Sequence, residues 1–328
     1  MKSKTMFRLA VGAWCLVSAI VAPAAVAQAY PDRPIEVIVP GPAGGTPDVV
    51  ARLVGEQLHK ILGEPIIVSN RAGASGFIGV QAVARAKPDG YSLLMGFAQT
   101  MAVNPVTFKK VPYDPIADFE AIGRMVDFEL VLAVPASLPV KNVPELLTWL
   151  KEHQGQAAFG SFGAGSPSQF AGEMFGKATD TAALHVPYKG SAPLVTDLVG
   201  GQVHYGFVVL QVAQQLAHSG KLRILAVTGD QRQLSEPDVP TLKELGYDQV
   251  QATGWYGLYA PKHTPLEIVD KLQNALEQAM QTPELQEKLS TQGVRPAFLP
   301  GKEFEQYTKD EIQRWQAIVT ETGFTAQE

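Results

Sequence analysis

From Tyr30 onward, apolar runs rich in β-branched residues alternate with stretches whose apolar positions recur at helical spacing. The first block reads as strand 35–40 (IEVIVP), helix 47–62, strand 66–69, helix 77–86 and strand 91–97. The pattern restarts after Asp127 with strand ELVLAVP, helix 143–153, strand AAFGSF, helix 167–178, strand ALHVPY, helix 191–199, strand VHYGFVV and strand RILAVTG. A last strand, WYGLYAP (255–261), is followed only by helices at 265–280, 283–291 and 301–322. Such alternation predicts βαβ units on largely parallel sheets, hence an α/β fold.

Two blocks of like grammar predict two lobes. The lone strand at 255–261 needs a sheet to join, so the chain is expected to cross into a second lobe near residue 130 and return near 254. Residues 30–130 with 254–328 then form lobe 1, and 131–253 form lobe 2. Two crossings make a hinge with a ligand cleft between the lobes.

The first residues change the expected compartment. Lys2, Lys4 and Arg8 precede an apolar run from Leu9 to Val21 and the small-residue sequence Ala25-Val26-Ala27, the layout of a secretory signal peptide over 1–27. No later stretch approaches the ~18 apolar residues of a membrane span, so a soluble exported chain is expected. The single cysteine, Cys15, falls in this leader, which removes thiol chemistry and cysteine-zinc sites from the mature chain. A 46% hydrophobic composition supplies a core without disulfides. The net charge of -5, with dispersed charges, gives no sign of a nucleic-acid surface and reads as a solvated acidic surface.

Candidate chemistry gathers in two glycine-rich strand-to-helix turns. In GPAGGTPD (41–48) Thr46 reads as N-cap, Pro47 as first helical residue, and Asp48 sits where the helix dipole favours negative charge and can pair with Arg52. Gly41, Gly44 and Gly45 leave bare backbone ahead of it, and Gly63 is placed to stop the helix. GSFGAGSPSQ (160–169) repeats the construction, with Ser166 as N-cap, Gln169 completing an S-x-x-Q capping box, and Gly160, Gly163 and Gly165 bare. A short βα connection accounts for either turn alone. Their duplication, one per lobe, predicts a carboxylate or phosphate clamped by two helix N-termini. A third turn, NRAGASG (70–76), can add Ser75 or the amide of Gly76.

Convergent reactive groups are missing from the pattern. There is no G-x-S-x-G, no phosphate-binding G-x-x-x-x-G-K-[ST], and no H-E-x-x-H among the six histidines, so no metal and no cofactor are expected. His185 and His204 lie in strand-like runs and read as structural, Glu173 reads as a solvated helix residue, and no base is expected near Ser161 or Ser166. Phe77, Phe97 and Phe162 border the expected cleft, where they could stack on a ring or simply cover helix-sheet junctions.

These residues carry a likeness. Over nearly its whole mature length the chain resembles the Bug-type solute receptors of tripartite tricarboxylate transporters, through blocks such as VPGPAGGTPDVVAR (39–52), NRAGASGFIG (70–79), GSFGAGSPSQFAGEMF (160–175), VPYKGSAPLVTDLVGGQV (186–203) and TGWYGLYAP (253–261). The resemblance implies a type II periplasmic binding protein fold of two lobes with mixed sheets, a Venus-flytrap closure, a periplasmic monomer, and delivery of ligand to integral-membrane permease subunits rather than catalysis. It places a small-molecule carboxylate on Gly41, Ala43, Gly44, Gly45, Thr46 and Asp48 of one loop and Ser161, Phe162, Gly163, Gly165 and Ser166 of the other, partly through water. Gly41 stands where the family usually has an aromatic residue, Gln169 where it often has histidine, and Val208 where it usually has aspartate. Those departures imply a roomier, less polar cleft and lean towards an aromatic mono- or dicarboxylate. A sensor presenting its closed form to a signalling receptor and a periplasmic hydrolase are the rival readings.

Overall fold

A computed structural model describes residues 30–233 and 235–328; the expected leader lies outside the described residues. In chain order the elements are β1 (Ile35–Val39), α1 (Thr46–Leu62), β2 (Ile66–Asn70), α2 (Phe77–Ala84), β3 (Ser92–Phe97), α3 (Asn104–Thr107), β4 (Phe119–Pro135), α4 (Val143–Glu152), β5 (Ala158–Ser161) and α5 (Pro167–Thr179). There follow β6 (Leu184–Pro187), α6 (Ser191–Val199), β7 (Tyr205–Val209), α7 (Leu210–His218), β8 (Leu222–Val227), β9 (Thr253–Pro261), α8 (Leu266–Met280), α9 (Pro283–Thr291), β10 (Arg295–Pro300) and α10 (Gly301–Thr322).

The strands form two sheets that share β4. In the first, β1 lies between β2 and β3 in parallel pairing, and β9 runs antiparallel between β3 and β4, with β10 on the far side of β4. In the second, β5 lies parallel between β6 and β7, and β4 runs antiparallel between β7 and β8. The two sheets thus repeat one plan, a parallel trio flanked by an antiparallel strand. The change of partner along β4 is abrupt: Glu129 pairs with Thr253 of β9, and Leu130 pairs with Val209 of β7. The change falls within a continuous 17-residue strand. β10 corrects the expectation that only helices follow β9, and α7 occupies the stretch between VHYGFVV and RILAVTG, to which the sequence pattern assigns no element.

Each sheet is covered on both faces. Val50, Val54 and Leu58 of α1 are buried on the first sheet with Leu272 and Leu276 of α8, while Phe304 and Trp315 of α10 cover the opposite face. Leu146 of α4 and Phe175 of α5 cover one face of the second sheet, and Leu194 of α6 and Ala213 of α7 the other. Full burial of each large aliphatic side chain contributes about 1.5–3 kcal/mol, so these apolar stripes hold the helices in place. Gly63, with φ +84°, ends α1 as expected. Among the described residues no helix is long and apolar enough to cross a membrane.

Candidate functional site

The first glycine turn leaves β1 at Pro40 and enters α1. Gly45 is the N-cap, in an extended conformation with φ -72° and ψ 160°, and Thr46 already belongs to the helix without a capping hydrogen bond from its side chain. The expected cap at Thr46 is thereby corrected, because Asp48 does the capping from inside the helix. Its Oδ2 accepts from the Gly44 amide at 2.9 Å and from Arg52 Nε at 3.2 Å, and its Oδ1 lies 2.9 Å from Arg52 Nη2. Burial opposes the charge of Asp48, but donation from Arg52, the Gly44 amide and Asn70 outweighs it and holds the carboxyl below its ordinary range. Gly44 has φ +78°, a conformation that glycine adopts without strain. Asn70 Nδ2 donates to Gly41 O at 3.3 Å and fixes the start of the turn.

The second turn, from β5 into α5, is wired alike. Ser166 is the N-cap, its Oγ accepting from the Gln169 amide at 3.3 Å and donating to Gly163 O at 2.6 Å. Gln169 Oε1 accepts from the Gly165 amide at 2.7 Å, one residue earlier than a capping box requires, and Gly165 has φ +66°. Gln169 Nε2 donates to Glu173 Oε1 at 2.6 Å. Glu173 is therefore not a solvated residue: it is partly buried, and burial raises its carboxyl while the bond from Gln169 opposes that rise.

The third turn holds four consecutive residues at positive φ, from Gly73 to Gly76, among them Ala74 at +45° and Ser75 at +55°. Such strain persists only where neighbours enforce it. Asn104 Nδ2 donates to Ser75 O at 2.9 Å, and a Cβ on Gly79 would stand 2.8 Å from Pro40 Cα, so α2 lies directly on the first turn. Gln99, which opens a five-residue π-helix after β3, donates from Nε2 to Asn104 Oδ1 at 2.7 Å and to Gly165 O at 3.2 Å. Packing of Pro40 on α2 and the chain Ser75–Asn104–Gln99–Gly165 thus connect all three turns. Gln99 and Asn104 escaped the sequence reading, since no local pattern announces a contact 66 residues away in the chain.

A base does stand beside Ser161, which corrects the expectation of none: His185 Nε2 lies 2.7 Å from Ser161 Oγ. The pair is unsuited to nucleophilic attack. Ser161 is fully buried, its hydroxyl donates to Gly163 O at 2.9 Å, and His185 stacks on Phe159 with burial pushing its pKa down to about 4. Among the described residues no hydrogen bond orients His185 Nδ1, the third member that such a pair needs. His204, as expected, is structural, with Nδ1 accepting from the Ala158 amide at 3.0 Å. No group of three metal-ligating side chains occurs among the described residues.

The remaining candidates are packed into the fold. Phe77 makes edge contacts with Phe108 and Tyr113, at 4.9 and 5.9 Å between centroids, and Phe97 makes one with Tyr256 at 6.1 Å. Phe162 is half-buried against the second sheet. Val208 is fully buried beside Val131 and Leu194, a core position that sheet pairing with Val131 imposes, so it offers no surface in this arrangement. Ala43 and Gly44 are exposed.

Comparison with known proteins bears on this geometry. A model of the tripartite tricarboxylate transporter family receptor matches residues 50–324. BugT of Bordetella pertussis is 36% identical over 314 residues, 95% of this chain and 96% of its own length. The solved periplasmic binding protein BugD superposes with a TM-score of 0.81 at 34% identity, covering 91% of this chain and 100% of that one. An R. palustris protein solved with adipate gives 0.84 at 31% identity, covering 90% and 98%. With its α/β architecture of two related sheets, the chain belongs to the Bug-type receptors of the tripartite tricarboxylate transporter family and has the two-lobed periplasmic binding protein fold.

Proposed function

We propose that the chain is an extracytoplasmic receptor that binds one organic carboxylate between its lobes and hands it to an integral-membrane permease. The lobes are residues 30–130 with 254–328, and 131–253, and the protein works in the periplasm as a monomer without a cofactor, after loss of residues 1–27. The observation that carries the reading is the matched wiring of two helix starts. In each, a glycine amide is consumed by the third helical side chain, through Gly44 with Asp48 and Gly165 with Gln169. Among the described residues the amides of Thr46 and Asp48 in α1, and of Ala164 and Ser168 at α5, then have no protein acceptor. Arg52 is committed to Asp48, so the first turn offers an anion its amides and helix dipole rather than a free cation. A carboxylate has the two oxygens to engage both starts, partly through ordered water, and a ligand touching both lobes shifts the population towards closure.

The relative solved with adipate supports an organic acid as the ligand class. The aromatic lean has less behind it, because Phe77 and Phe97 already spend their edges and faces on Phe108, Tyr113 and Tyr256. Calorimetric titration with adipate, malate, succinate, citrate, glutamate, benzoate and phthalate decides. Binding of an aliphatic acid without turnover is the expected result. Binding of aromatic acids alone restores the lean, and binding of no carboxylate, or hydrolysis of a bound one, overturns the reading.

A further inference from the structure

We propose that Gln99 is an interlobe latch, a positioning residue that holds the second glycine turn against lobe 1 and sets how closely the lobes rest before any ligand arrives. The proposal rests on the two-lobe reading above but not on which acid is bound.

Gln99 reaches across from a rigid base. Both protons of its Nε2 are used, one on Asn104 Oδ1 at 2.7 Å and one on Gly165 O at 3.2 Å. Asn104 is fully buried and pinned by its own donation to Ser75 O at 2.9 Å, and Tyr113 OH beside it donates to Thr100 O at 2.5 Å within the same π-helix. The arm is thus fixed before it meets lobe 2, so little rotamer entropy is lost in making the contact. A π-turn, which inserts an extra residue into a helical turn and often marks a functional position, gives Gln99 this placement.

The receiving residue is shaped for close approach. A Cβ on Gly165 would stand 3.0 Å from Gln327 Nε2 and 3.2 Å from Thr107 Cβ, both on the lobe 1 side. Its carbonyl takes the latch while its amide holds Gln169 Oε1 at the start of α5, so one residue joins the lobe contact to the cap that presents the free amides. The latch is also self-limiting. Gln99 Oε1 and Gln327 Nε2 are buried without hydrogen-bond partners, and such orphaned groups make the joined arrangement costlier than a fully paired one. It therefore biases the lobes together without locking them.

Small-angle scattering and amide exchange on the ligand-free protein test the proposal. In Gln99→Leu, which keeps the bulk and removes the donor, the radius of gyration is expected to rise and exchange at the Gly165 amide to accelerate about tenfold, as for loss of one ordinary hydrogen bond. Gln99→Met serves if the leucine variant does not fold. A folded variant with unchanged radius and exchange overturns the latch, and so does a fall in Tm with no change in radius, the mark of a merely local packing role. Titration of the same proteins with carboxylates separates the two readings: an opened variant of a protein that binds no acid leaves the latch standing and removes the receptor assignment.

Discussion

The amide of Gly165 donates to Gln169 Oε1 at 2.7 Å in the same way that the amide of Gly44 donates to Asp48 Oδ2 at 2.9 Å. Both glycines precede the N-cap, both have positive φ, and both acceptors are the third residue of the helix. The charge of the acceptor differs while the geometry does not, so what the two halves share is the path of the backbone. A Cβ on Gly44 meets nothing within 4 Å, whereas one on Gly165 presses on Gln327 and Thr107. Gly44→Ala is expected to cost about 1–2 kcal/mol from left-handed strain alone, and Gly165→Ala more, as read by urea unfolding.

Gly79→Ala is the sharper test of how the first turn is supported. The new methyl would stand 2.8 Å from Pro40 Cα and 2.9 Å from Arg71 O, backbone atoms that cannot swing aside. Overpacking of this kind costs about 1–3 kcal/mol. Since α2 must retreat from Pro40, binding of whichever acid the parent protein takes should weaken as well, which titration alongside unfolding would show.

Thr228 ties the middle of β4 to the residue that leads into β9. Its buried hydroxyl accepts from the Leu130 amide at 3.0 Å and lies within donating distance of Leu130 O at 3.0 Å and Ala252 O at 2.8 Å. Thr228→Val keeps the shape and strands these groups, with an expected loss of about 1–3 kcal/mol. Chemical denaturation gives the loss, and exchange at Leu130 should accelerate with it.

His185 makes stability depend on pH in a defined direction. Burial lowers its pKa from 6.5 to about 4, so between those values the unfolded chain binds a proton that the folded chain refuses. Stability then falls as pH drops from 6.5 towards 4, by at most about 3 kcal/mol from this group. Glu129 and Glu173, raised by burial, act in the opposite sense but are common to parent and variant. The difference in urea midpoint between the parent and His185→Gln should therefore narrow on acidification, and a constant difference would refute the assignment.

Much of this architecture was legible because local rules and tertiary packing agree. Pro47, Asp48 and Gly63 bracket α1 within one residue of its observed ends, and Ser166 is the cap it promised to be. Thr46 misled because a carboxylate four residues beyond Gly44 does the capping instead. The first half of β4 was obscured by Glu120, Arg124 and Asp127, which interrupt its apolar run at partly buried positions. β10 carries Pro296 and Pro300, tolerable because it lies at an edge, where a missing donor costs the sheet little. The glutamines of α7 hide a helix held by Leu210 and Ala213. The contacts of Ser161 with His185 and of Gly165 with Gln99 join distant parts of the chain and have no local signature.

The unbroken course of β4 constrains how the molecule can be dissected. Removing either half would leave part of one strand stripped of both its neighbours, a bare row of amides and carbonyls open to any other chain. A fragment ending at residue 130 or beginning there should self-associate rather than fold. With no loose segment at that crossing for a protease to enter, limited digestion should spare the boundary and cut elsewhere first.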